Sequence, residues 1–445
     1  MSWRKCDEVN PSVKSVLLER KITPEFKSAI SNTGWLFGDR ILRAVLSFVL
    51  NLWIARYLGV AKYGLFSFAI AFVSLFNPFV TLGLDNIVVR NIVQDLTAKD
   101  KILGTAFYLR LIGACTVFLL VIISIFIVRT NDSLTISLVV ILSMAGLFQS
   151  LDVIDLWFQS QVQSKYTVFA RNAAFFGIAP VKVGLIILKA PLITFAWASL
   201  AEVSLGALAL LAMYQFQGQS VKAWHWHSSW IKQLLREGFP LMLSGLTIMI
   251  YMKIDQIMLG SMIGDKAVGL YTAATRISEA WYFIPTAIVS SVTPSIYKAR
   301  ERSESEYYQR VGKLLKLMNA IAIMVAIPIT IFAPTIIHFI YGEAYLQSSS
   351  VLVIHIWAAI FVFMGVATLP CFIVDGLARL TFQRTFLGAI INVILNCVLI
   401  PRYTIVGAAI ATVISQATAS YFSHAFHSQT IKLFRLQTRS LLFFK

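Results

Sequence analysis

Charged side chains inside long apolar runs are the residues of this sequence most able to do chemistry. Each costs roughly 2.5 to 3.5 kcal/mol at membrane depth, so those retained there face a partner or a water-filled cavity. Asp39 and Arg43 lie four apart with Arg40 beside them, and Arg276 and Glu279 lie three apart, so each spacing puts a cation and a carboxylate on one helix face. Lys253 and Asp255 form a third group, and Arg110, Asp152, Asp155, Lys182 and Glu202 are scattered through other apolar runs. Guanidinium forks in a central cavity could grip pyrophosphate oxygens while polar groups meet sugar hydroxyls. On that reading Asp39, Arg40, Arg43, Lys253, Arg276 and Glu279 bind substrate. Asp152, Asp155 and Asp255 are the candidates for exchanging a coupling proton or sodium ion. The plainer alternative is pairwise bridging between helices, or snorkelling near the interfaces. Arg56 and Asp85, at span ends, suit an interfacial role.

The elements that must position these residues are membrane helices. Of 445 residues, 58% are hydrophobic and only 13% charged. The apolar residues come in runs near the ~20 that cross ~30 Å of hydrocarbon. Breaking the runs at charge clusters, Gly/Pro pairs and polar loops predicts an all-α polytopic protein with twelve transmembrane helices. They fall near 33–57, 65–84, 102–128, 134–157, 168–188, 192–215, 238–261, 270–296, 314–341, 351–374, 382–400 and 405–425. Lysine and arginine set the orientation. With both termini cytoplasmic, the outside segments hold only Lys62, Arg129, Lys189, Lys266 and Arg402 of the 38 basic residues. The net charge of +17 is thereby explained by topology and needs no nucleic-acid partner.

The chain also repeats itself. Residues 57–69 align without gaps on 262–274, placing Gly59 and Gly64 on Gly264 and Gly269, Leu65 on Leu270 and Phe66 on Tyr271. An even number of spans separates the copies, so they share one orientation, as parallel repeats do. The predicted organisation is a cytoplasmic segment 1–32, an N-lobe 33–215 with six helices, a cytoplasmic linker 216–237, a C-lobe 238–425 with six helices, and a cytoplasmic tail 426–445. The Trp224-His225-Trp226-His227 stretch reads as an interfacial aromatic belt and not a metal site. His338 and His355 read as packed. No Walker loop, dinucleotide fingerprint, serine elbow or HExxH is present, so no cofactor or catalytic residue is expected. Energy would come from a substrate or ion gradient.

Asn32-Thr33-Gly34-Trp35-Leu36, then Ala55-Arg56-Tyr57-Leu58-Gly59 and Tyr63-Gly64-Leu65-Phe66, resemble the opening of the polysaccharide-biosynthesis family of O-antigen and capsule repeat-unit flippases. That family lies within the multidrug/oligosaccharidyl-lipid/polysaccharide exporter (MOP) superfamily. The resemblance implies a MATE-like pair of six-helix lobes in the bacterial inner membrane, which by alternating access carries an undecaprenyl-pyrophosphate-linked oligosaccharide to the periplasmic leaflet. Membrane lipids, a glycan polymerase and chain-length machinery are the implied partners. It also implies arginines on the first and eighth helices, the places that Arg40, Arg43 and Arg276 occupy. The competing functions are a multidrug or cation antiporter on the same fold, whose cavity should be acidic, and a membrane glycan polymerase, which should carry a large periplasmic loop.

Overall fold

The computed structural model describes the backbone of residues 24–442, and side chains from Leu42 to Leu442 apart from Ala378. Every regular element among them is helical. Hydrocarbon offers the backbone no hydrogen-bond partner, so apolar runs of this length must satisfy their amides internally.

The N-terminal half comprises α1 (Pro24–Leu75), α2 (Asn77–Thr81), α3 (Asp85–Gln94), α4 (Lys99–Val128), α5 (Ser133–Ser143), α6 (Ala145–Gln149), α7 (Val153–Ser160), α8 (Lys165–Ile187) and α9 (Leu192–Phe216). The C-terminal half comprises α10 (Ser228–Met262), α11 (Asp265–Glu279), α12 (Phe283–Arg302), α13 (Glu304–Tyr341), α14 (Ser348–His355), α15 (Ala358–Val374), α16 (Ala378–Ser420) and α17 (Ile431–Leu441).

Nine helical stretches among the described residues are long and apolar enough to cross a membrane, against the twelve expected. The difference has a physical origin. Leu42–Gln94 and Arg379–Ala425 each join two expected spans, while α11, 15 residues long, and α12, rich in Ser, Thr and basic residues, do not qualify. Both joined stretches are broken inside, at Gly59 (φ 72°, ψ 171°) and at Thr404 (φ 51°, ψ −126°). At 1.5 Å per residue, an unbroken helix as long as α1 would exceed the ~30 Å hydrocarbon more than twofold.

Three cores hold the molecule together, and their placement sets its shape. One cluster is shared by the halves, joining Ile54, Leu58 and Phe68 to Leu259, Ala273, Ile337 and Tyr345. The other two are separate: Leu84, Ile102, Phe158 and Tyr214 in the N-terminal half, and Ile296, Tyr307, Leu315 and Phe363 in the C-terminal half. The halves therefore meet at the face carrying Gly59 and Gly264, here called the loop face. Toward the opposite, terminal face their interiors are separate, with the start of α10 packed into the N-terminal one.

Two elements depart from the expected boundaries. α10 begins at Ser228, inside the expected linker, because Trp230, Ile231 and Leu234 pack into the N-terminal core. The expected tail contains α17, whose Leu433, Gln437 and Ser440 are buried. Its Ser440 hydroxyl receives Asn319 Nδ2 at 2.7 Å, and its Gln437 Nε2 donates to the Ser420 carbonyl at 2.9 Å.

Candidate substrate cavity and cation site

The repeat recognised in the sequence builds the joint between the halves. Gly59 and Gly264 take matching backbone conformations, φ 72° with ψ 171° and φ 117° with ψ 176°, a region that essentially only glycine occupies. Their partners Gly64 and Gly269 lie against each other's hairpin. A Cβ on Gly64 would stand 1.8 Å from the Asp265 carbonyl oxygen, and one on Gly269 would stand 2.1 Å from that of Val60. Val60 and Asp265 are themselves equivalent in the alignment, so the contact is reciprocal, as two-fold pseudosymmetry demands. Arg129 locks this face further, donating to Asp265 at 2.8 Å and to the Gly260 carbonyl at 2.6 Å across the joint. Arg56 Nε reaches the Ile340 carbonyl at 2.7 Å, its Nη2 reaches that of Phe339, and Tyr345 Oη donates to the Ala55 carbonyl at 2.8 Å.

Behind this seal, a cavity of about 890 Å³ lies between α1 and the pair α10 and α11. That volume is within the range of ligand-binding clefts. Extending the ungapped alignment shows that both repeats line it at equivalent positions: Phe48 with Lys253, Asn51 with Gln256, Ser67 with Thr272, and Ile70 with Thr275. Arg276, Glu279 and Trp281 complete its charged and aromatic wall. Lys253, Arg276 and Glu279 are half-buried, and none is ion-paired within 4 Å to another described residue. Two cations against one carboxylate leave the wall with a positive excess. α11 packs on α1, whereas α12 packs mainly on α13 and α15 within its own half. The gap between the halves therefore lies between α1 and α12 toward the terminal face, while α10 stays packed there on α2, α3 and α4 of the N-terminal half.

A second polar group adjoins the cavity on α10, directly before Gln256. Asp255, 4% exposed, accepts hydrogen bonds from Tyr271 Oη at 2.7 Å, Thr412 Oγ1 at 2.6 Å and Asn396 Nδ2 at 2.5 Å. Asn396 Nδ2 also reaches Asn392 Oδ1 at 3.2 Å, while its own Oδ1 is buried with no partner. The Asp255 carboxylate, the hydroxyls of Tyr271 and Thr412 and the Asn392 amide oxygen are thus gathered in a dry site. Oxygen donors of this kind suit a proton or a hard cation.

A family model described as "Polysaccharide biosynthesis protein" matches residues 29–299, more than half of the chain. The chain belongs to that family. A second model, MatE, matches residues 240–398. The probable flippase AglR of Haloferax volcanii is 31% identical over 186 residues, 40% of this chain and 38% of AglR. The probable low-salt glycan biosynthesis flippase Agl15 of the same organism is 27% identical over 38% of this chain and 36% of its own length. The match thus spans under two fifths of either relative. The capsular polysaccharide biosynthesis protein CapF of Staphylococcus aureus is 19% identical over 88% of this chain and 98% of its own. Among solved structures, an inward-facing multidrug resistance MATE family transporter of the MOP superfamily aligns with a TM-score of 0.70 at 16% identity, covering 89% of this chain and 94% of that one. The lipid II flippase MurJ, inward closed, gives 0.66 at 14% identity over 91% and 90%. This polysaccharide biosynthesis family member is a multi-pass membrane protein with the MOP transporter fold.

The structure sorts the charges that the sequence singled out. It brings Lys253, Arg276 and Glu279 into one cavity and Asp255 into the adjoining cage. Arg43 is half-buried one residue before the cavity-lining Ala44 and Val45, and does not itself line the cavity. Asp39 and Arg40 lie on α1, but their side chains fall outside the described residues. Asp152 and Asp155 face Arg171, 3.7 and 3.1 Å away, and Asp155 also receives the Thr167 hydroxyl at 2.7 Å. The remaining intramembrane charges pair between helices, Arg110 with Asp85 at 2.5 Å and Lys182 with Glu202 at 2.6 Å. His355 is packed, 2.6 Å from the Ser278 hydroxyl. Tyr271, Asn392, Asn396 and Thr412 went unrecognised in the sequence. The one available signal was the pair of asparagines four apart in an apolar run, which share a helix face.

Proposed function

We propose that the protein is a flippase for an undecaprenyl-pyrophosphate-linked oligosaccharide repeat unit, carried from the cytoplasmic to the periplasmic leaflet of a bacterial inner membrane with both termini cytoplasmic. The supporting observation is the cavity between the halves, in which Arg276 and Lys253 form no ion pair with another described residue. Arg276 supplies a planar fork for pyrophosphate oxygens, and Lys253 a second positive charge. Asn51, Gln256, Thr272 and Thr275 offer partners for sugar hydroxyls. With the loop face sealed and the cavity flanked by α1 and α12 toward the terminal face, the conformation described is the one that loads from the cytoplasm. Export then requires the Gly64–Gly269 joint and the Arg129–Asp265 bridge to separate. A cationic drug would be repelled by the same wall, which argues against a multidrug antiporter.

Asp255 is the proposed coupling site. The buried Asp255 carboxylate, with the hydroxyls of Tyr271 and Thr412 against it and the Asn392 oxygen one amide away, supports exchange of a proton or a sodium ion there. Gln256 lines the cavity while Asp255 sits in the cage, so filling the cage would act on the substrate wall through one turn of α10. A glycan polymerase and chain-length machinery are the expected downstream partners. The test is surface glycan in cells deleted for the gene and complemented with variants at matched protein level. Arg276→Ala should leave glycan absent, and Arg276→Lys should restore it only in part. Wild-type glycan from Arg276→Ala would refute the proposal.

A further inference from the structure

A second, smaller cavity of about 250 Å³ opens at the terminal face of the C-terminal half, between the start of α16 and the turn that leads into α17. It holds Arg384, a side chain 9% exposed that forms no ion pair with any described carboxylate. Arg384 Nη1 donates to Thr368 Oγ1 at 3.3 Å and lies 3.1 Å from His424 Nε2, and the guanidinium rests over the Phe372 ring at 4.4 Å. His424 Nδ1 is 2.8 Å from Gln437 Oε1, so the ring donates there and turns its Nε2 lone pair to the arginine. All of these partners are neutral. The neighbouring basic residues differ, since Arg300 is matched by Asp375 at 3.0 Å and Lys432 by Glu304 at 2.6 Å. A buried cation without a counter-charge is costly, and the missing element is an anion.

The surroundings say which kind. Leu387 lines the same cavity, and Ile390, Ile394 and Val398 continue its helix face with exposures of 41, 56 and 47%. Phe426, also lining the cavity, is 84% exposed. An apolar stripe about three turns long thus descends from the arginine into the region of the hydrocarbon. We infer that this is a binding site for an anionic phospholipid, its phosphodiester on Arg384 and its acyl chains along Leu387, Ile390, Ile394 and Val398. Because Gln437 belongs to α17 and orients His424, the lipid would also fasten the C-terminal helix to the membrane surface.

Native mass spectrometry of the full-length protein, titrated with phosphatidylglycerol or phosphatidylcholine of identical acyl chains, reads this directly. Phosphatidylglycerol should bind preferentially, and Arg384→Gln should lower its affinity about tenfold or more, the loss of a charge-assisted contact. His427→Glu places a negative charge at an exposed lining position without touching the buried network, and should also weaken phosphatidylglycerol binding. Equal binding of the two lipids, or unchanged phosphatidylglycerol binding by His427→Glu, would overturn the inference. Displacement of the lipid by millimolar sodium phosphate would also overturn it, because the pocket would then recognise the free anion and the apolar stripe would play no part.

Discussion

The two halves present the same backbone joint and opposite chemistry. Gly59 and Gly264 turn the chain alike, and Gly64 and Gly269 make reciprocal contacts. Yet where α10 and α11 carry Asp255 and Tyr271, the equivalent positions of α1 hold Leu50 and Phe66, both buried in the shared core. Phe48 stands where the C-terminal copy has Lys253, and Ile70 where it has Thr275. Close approach of two helical hairpins needs missing side chains, so the glycines are required in both copies. A charge at membrane depth needs a cage or a wet cavity to sit in, and among the described residues it is the C-terminal copy that places charges in either. Several N-terminal charges have instead found each other, as Lys182–Glu202, Arg110–Asp85 and the Arg171–Asp155 group. The fold is thus symmetric where it must hinge and asymmetric where it must recognise.

The sharpest way to break this comparison is to move the acid. Leu50→Asp puts a carboxylate at the equivalent N-terminal position without Tyr271, Thr412 and Asn396 around it. It should cost about 2.5 to 3.5 kcal/mol, the price of an uncaged charge at that depth. Detergent thermal unfolding would register it, and a variant as stable as the parent would mean that the cage contributes little. Next in size is Asp255→Asn. If the cage holds sodium, sodium should raise the unfolding temperature of the wild type, by up to about 2.7 kcal/mol of stability at a hundredfold excess over Kd. The variant should show no such rise, and an equal rise in both would move the ion elsewhere.

Gly64→Ala or Gly269→Ala tests the symmetric part. Each added methyl would meet a backbone carbonyl about 2 Å away, far inside contact distance, so the loop face must part. Cysteines placed at Ser67 and Thr272, buried behind the joint, should become reactive to an impermeant thiol reagent, and unchanged labelling would show that this joint is not the seal. The smallest effect is expected from removing the Lys182–Glu202 pair with Met at both sites. Transport should persist and stability should change by no more than about 1 kcal/mol, since such a pair does little more than offset its own desolvation.

How far the sequence revealed this arrangement follows the same division. Apolar runs, the glycine repeat and the costly charges Lys253, Asp255, Arg276 and Glu279 were visible because each violates or satisfies a local rule of the membrane. What those charges touch was not. Asp255 draws two of its three partners, Asn396 and Thr412, from more than 130 positions away on α16, and Asp152 and Asp155 meet Arg171, which lies at the start of an expected span and drew no notice. Helix α17 was also missed, being too short and too basic to register as a span, although its apolar face packs on the C-terminal half. Partner choice is a tertiary fact, and hydropathy carries no record of it.

The central claim is that Arg276 holds an anionic headgroup in the cavity between the halves. Binding of a polyprenyl-pyrophosphate-linked oligosaccharide to the purified protein in nanodiscs, compared with the same molecule lacking its pyrophosphate, tests it most directly. Wild-type protein should favour the charged molecule, and Arg276→Ala should lose about tenfold or more of that preference, the magnitude of one charge-assisted contact. Equal affinity of wild type and Arg276→Ala for the charged molecule would contradict the account.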